Sequence, residues 1–161
     1  MALTVCMLVF IFAQSTQEGE ASSMQSEQVT VLLQQVVAAI APESPIATAT
    51  GEAFDALHAF VRSAAHFVEY MALGVCAFAS YLSFTRKKRY AVLIPLWVAF
   101  VALADECVQS VTADRAAQGV DLLVDILGGV AGCLTAYIIF AIVLGVAAAW
   151  RRKKRKQESN V

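Results

Sequence analysis

Apolar residues in this chain gather into four runs separated by polar stretches, and the length of each run limits what it can become. Residues 1–13 are almost wholly apolar but fall short of the roughly 20 residues an α-helix needs to cross a bilayer. They lack the basic start and small-residue cleavage site of a signal peptide, so they read either as a short first span or as a span whose start is truncated in this sequence. Residues 64–84 are long enough to cross. The third run begins at Ala91 and reaches Val108, with Pro95 in its opening turns, where a missing N–H costs least. The fourth covers residues 120–150, more than a span requires, which predicts tilt or a start above the membrane.

Residues 14–63 separate the first two runs and read as an extracytoplasmic segment. Gln14 to Gln28 is polar, rich in Ser, Gln and Glu, and Val29 to Ile40 is a one-sided helix too short to span. Pro42 and Pro45 then interrupt the chain. Phe54, Leu57, Val61, Ala64 and Val68 recur at helical spacing, predicting a helix from about Gly51 into the second span. The expected fold is all-α: a polytopic membrane bundle of about four transmembrane helices with short extracytoplasmic helices, followed by a basic tail at residues 151–161.

Composition agrees. Of 161 residues, 59% are hydrophobic and only 16% charged, with a mean hydropathy of +0.66; soluble domains carry about 25% charge. Cys6, Cys76, Cys107 and Cys133 form no CxxC pair, and they read as small hydrophobes rather than a disulfide or metal framework.

Charge placement sets the expected orientation. Ten of the twelve basic residues lie in Arg86-Lys87-Lys88-Arg89 and in Arg151-Arg152-Lys153-Lys154-Arg155-Lys156. Short loops rich in Lys and Arg stay in the cytoplasm, which places both runs, and the C-terminal tail, inside. Among the acidic residues only Glu158 then falls on the inner side. The basic runs are expected to meet anionic lipid headgroups rather than nucleic acid, since a basic flank after a span is routine.

With that orientation, three polar groups reach one depth near the outer face. His66, Glu69 and Tyr70 open the second span, while Asp105, Glu106 and Gln109 close the third. Arg115 lies in the next loop, and Asp121 and Asp125 open the fourth span. His66 and Glu69 are three apart and Asp105 and Gln109 four apart, so each pair shares a helix face. Asp121, Asp125, Gly128 and Gly132 form one stripe, acidic above and small below, and small residues at this spacing let helix backbones approach. The stripe is therefore expected to pack inward and carry its carboxylates toward the other helices. His58 reads as an ordinary interfacial residue, and Trp97 and Trp150 as interface anchors.

Four roles fit such a cluster. It is an acid–base site acting on a lipid-linked or cell-wall substrate, with His66, Glu69, Asp105, Glu106 and Asp125 as catalytic candidates. It is a proton-coupled or polar-ligand site, with Tyr70, Gln109, Arg115 and Asp121 as binding candidates. It is a metal site, for which His66, Glu69, Asp105 and Asp125 are weak candidates. Or it is a mutually satisfied network holding the helices together. No cofactor is implied, and oligomeric state is left open.

The same residues resemble a known family. Arg62-Ser-Ala-Ala-His66-Phe-Val-Glu69-Tyr70 is similar to the R-K-x-A-H-F-x-E-Y motif of VanZ-like membrane proteins, and Asp105-Glu106-Cys-Val-Gln109 to their D-E-x-x-Q. Arg115 followed by Asp121, Asp125, Gly128 and Gly132 resembles a third block, and Gln14 to Ser26 the segment after the family's first span. Ser63 stands where the family usually has Lys, and Ala113-Asp114 where it has Pro-Gly. The family takes its name from a protein linked to teicoplanin resistance. The resemblance therefore implies an outer-leaflet role in cell-envelope chemistry or glycopeptide susceptibility, with a lipid-linked cell-wall precursor or a glycopeptide as partner.

Overall fold

The computed structural model describes residues 1–17, 19–85, 88–111 and 119–158. Five α-helices carry the fold: α1 (Ala2–Ser15), α2 (Gly19–Ile40), α3 (Glu52–Phe84), α4 (Leu93–Val111) and α5 (Gly119–Glu158), with a 3₁₀ turn at Lys88–Val92 before α4. No strand occurs among the described residues. Three helical stretches, Glu52–Phe84, Arg89–Val111 and Val120–Arg155, are long and apolar enough to cross a membrane, and α1 is a shorter apolar helix. Only 22% of the most apolar window of the second stretch and 17% of that of the third are buried within the protein. The remaining apolar surface suits lipid.

Helix boundaries follow local chemistry. Gly51 precedes α3 with φ +57°, a conformation that costs glycine nothing, and Glu52 and Asp55 then place negative charge in the first turn, where the helix dipole favours it. α3 continues unbroken from there into the membrane stretch, as the spacing of Phe54 to Val68 predicts. α2 differs from expectation: the polar stretch before Val29 joins the apolar one in a single helix from Gly19. Ser, Gln and Glu each cost only tenths of a kcal/mol in a helix, and no Pro or Gly interrupts until Pro42, before which the helix stops. Gln34 Nε2 donates to the carbonyls of Ile46 (3.0 Å) and Ala49 (2.9 Å), tying α2 to the loop that leads into α3.

The α3–α5 pair is the frame. A Cβ at Gly128 would overlap the Phe67 carbonyl oxygen, one at Gly132 the Met71 carbonyl, and one at Gly74 the Gly129 carbonyl. The two backbones therefore meet directly, with glycine Hα atoms aimed at carbonyl oxygens. α4 packs on this pair through Val98, which occupies the space beside Gly129. Tyr70, Leu73, Val98, Ala102 and Cys133 fill the core.

α1 lies antiparallel to α3 and closes the bundle. Near its start, Thr4 Oγ1 is 3.0 Å from Ser80 Oγ, low on α3. At its end, Ile11 and Ser15 are buried against the opposite end of α4. The bundle thus has a basic end, carrying Arg151 to Arg155, and an acidic end where α1 and α4 finish and α5 begins. The four cysteines are free, and Cys133 alone is buried.

Candidate functional site

Helical spacing delivers the polar groups of the acidic end to one place. His66, Glu69 and Tyr70 come from one side of α3. Asp105 and Gln109 come from one face of α4, and Asp121 and Asp125 from the α5 stripe that continues into Gly128 and Gly132. Because those glycines draw α5 onto α3, Asp125 is carried under His66: His66 Nδ1 lies 3.3 Å from Asp125 Oδ1. Asp125 is 1% exposed and Asp121 6%. The stripe thus packs inward as its spacing predicts.

A second pairing joins α1 to α4. Asp105, 1% exposed, accepts a hydrogen bond from Gln109 Nε2 at 2.9 Å, and its other oxygen meets the Ser15 hydroxyl. Ser15 Oγ also lies 2.9 Å from the Ile11 carbonyl. Tyr70 is fully buried between the two pairings, in the field of Asp105, Asp125 and Glu69. Its hydroxyl closes no hydrogen bond of normal geometry among the described residues. Buried carboxylates are costly unless paired or hydrogen-bonded, and Asp105 and Asp125 both meet that condition.

Beside these pairings lies a cavity of about 530 Å³ lined by α1, α2, α3 and α4. Ser15, Arg62, His66, Glu69, Asp105 and Gln109 line it together with Gln14 and with Ser22, Gln25 and Ser26 of α2, while Ile11, Val29, Leu33, Phe60, Val61 and Val68 supply its apolar lining. Asp121, Asp125 and Tyr70 stand outside this lining, in the packed layer behind His66. The sequence-derived cluster therefore divides into an accessible layer and a closed one, with His66 joining them. Glu106 is half-buried and off the cavity wall, because one residue along a helix turns its side chain about 100° away. Arg115 lies outside the described residues. Among the described residues no three His, Cys, Asp or Glu side chains are grouped as a metal ion would require.

Two contributors escape sequence reasoning. Ser15 falls at the border between the first apolar run and what reads as an outer loop; its signal is its place one turn after Ile11, at the end of an apolar helix. Arg62 carries the motif resemblance, but nothing in the spacing places it on a cavity wall.

The arrangement suits proton handling. Asp125 stands at ion-pair distance from His66 Nδ1, short of hydrogen-bond geometry, and so favours the protonated imidazole. His66 also lines the cavity, so the same imidazole meets the buried carboxylate and the cavity.

A family model described as VanZ/LLP1 matches residues 1–142 of the chain. No curated protein and no solved structure matches.

Proposed function

The chain belongs to the VanZ-like family, and from that premise we propose that it works at the outer face of the cytoplasmic membrane. There its cavity holds a polar cell-envelope component, and His66 gives or takes a proton. Its physiological role is then in envelope chemistry or in glycopeptide susceptibility, as for the protein that gives the family its name. The observation that carries this reading is the position of His66, which contacts buried Asp125 on one side and lines an amphipathic cavity on the other.

Asp125→Asn tests it. The amide fills the same space but cannot hold an imidazolium. In cells whose teicoplanin susceptibility depends on this protein, D125N and H66Q are expected to behave like the deletion, while the melting temperature of purified D125N stays within a few degrees of wild type. A melting temperature that falls in step with the phenotype would replace this reading with a second one. In that reading the network only holds the helices, as the burial of Asp121 and Asp125 off the cavity favours.

The orientation is part of the proposal. The basic residues from Arg151 onward face the cytoplasm under the positive-inside rule, which puts the cavity outside. A reporter fused after Lys156 is expected to read as cytoplasmic; an external reading would move the cavity to the inner face.

A further inference from the structure

We propose that the ligand is a phosphodiester lipid and that it enters sideways from the bilayer between α2 and α3. This rests on the reading of the cavity as a binding site and names what the site takes.

The first observation is Arg62. Its side chain is half-buried on the cavity wall, yet among the described residues it makes no ion pair and no hydrogen bond. Glu69 and Asp105 line the same cavity. A guanidinium keeps its charge at any physiological pH, and its planar fork matches the paired oxygens of a phosphate.

The second observation is where the apolar wall leads. Val29 on α2 and Phe60 and Val68 on α3 line the cavity, and they are also 55%, 67% and 59% exposed. The cavity is therefore open along the gap between the two helices, and its apolar wall runs out onto the surface. On α2 the exposed stripe continues through Leu32, Val36 and Ile40 at steps of three and four. On α3 Val68 belongs to a membrane-crossing stretch, so the gap faces lipid. A free anion arriving from water would gain nothing from such a wall.

The size and charge of the cavity narrow the ligand further. A volume of about 530 Å³ is that of a small-molecule site. It accommodates a lipid head and backbone, leaving the acyl chains in the bilayer against Phe60 and Val68. One guanidinium balances the single charge of a phosphodiester. The carboxylates of Glu69 and Asp105 on the same lining disfavour a more highly charged head.

Native mass spectrometry of the full chain in detergent tests this, by titration with dihexanoyl phosphatidylglycerol, dihexanoylglycerol, glycerol 3-phosphate and inorganic phosphate. The phospholipid is expected to bind tightest, and Arg62→Gln to weaken it by about tenfold or more, the worth of a charged hydrogen-bond pair. Val68→Trp, a change at an exposed position that narrows the gap, is expected to weaken it too while leaving Arg62 in place. Equal binding of glycerol 3-phosphate or phosphate would overturn lateral entry, and equal binding of dihexanoylglycerol would overturn anion recognition. Unchanged phospholipid affinity in both variants overturns the proposal even where D125N abolishes the phenotype, so the proton reading would survive it. A cavity that takes no lipid, together with a silent D125N, removes both.

Discussion

Gly132→Leu is expected to destabilise the protein by about 3 kcal/mol or more, at the upper end of the range for overpacking a close-packed core. The atoms in the way belong to backbone: the Met71 carbonyl and the Val75 amide of α3. A side chain can turn aside from an added methyl group, but a helix backbone can only move as a whole. α3 would have to lift from α5, and the His66–Asp125 contact two turns above would open with it. Gly145 supplies the control, since it sits on the same helix with nothing within 4 Å of an added Cβ. Gly145→Leu is expected to change stability by less than about 0.5 kcal/mol. Thermal unfolding in detergent compares the two. Equal melting temperatures would mean that the backbone seam does not hold the bundle.

Asp105→Ala is the second large effect. It removes the acceptor for Gln109 Nε2 and for the Ser15 hydroxyl in a buried site. Each hydrogen bond to a charged group contributes about 1.5–3 kcal/mol, so a loss of about 3 kcal/mol is expected, with α1 loosened from α4. Hydrogen exchange should then rise first in the last turns of α1. Asp105→Asn separates packing from charge. Its carbonyl accepts from Gln109, and its amide donates to Ser15 Oγ while the serine hydroxyl stays on the Ile11 carbonyl. D105N is therefore expected to melt near wild type and to alter ligand binding alone. If D105N falls as far as D105A, the anchoring of α1 depends on the negative charge and not on the hydrogen bonds.

These residues differ in how far the sequence alone discloses them. The α5 stripe is readable because Asp121, Asp125, Gly128 and Gly132 sit at helical intervals, so one periodicity names both what packs and what is buried. The His66 and Asp105 groups are readable as ionisable residues at membrane depth, where an idle charge is too costly to keep. Their assignment to an accessible wall or a closed layer is not readable, because it depends on which helices neighbour one another. Ser15 shows the same limit. Its partner lies ninety positions away, and only the antiparallel placement of α1 beside α3 brings them together. α2 is misjudged for a different reason: polar residues without Pro or Gly form helix nearly as well as apolar ones, so hydropathy marks its apolar stripe and not its length.

The glycine seam has a consequence for how such a chain can diverge. On the side of α5 that meets α3, there is no volume to spare, and at Gly128 and Gly132 even alanine intrudes on a neighbouring carbonyl. On the other side Leu123, Leu127, Leu134 and Ile138 are exposed, and oiliness is all that is asked of them. Random mutagenesis of α5 scored by a folding reporter would sort the positions of its first half into two columns. One column would be almost silent to change in kind and the other intolerant of a single added carbon.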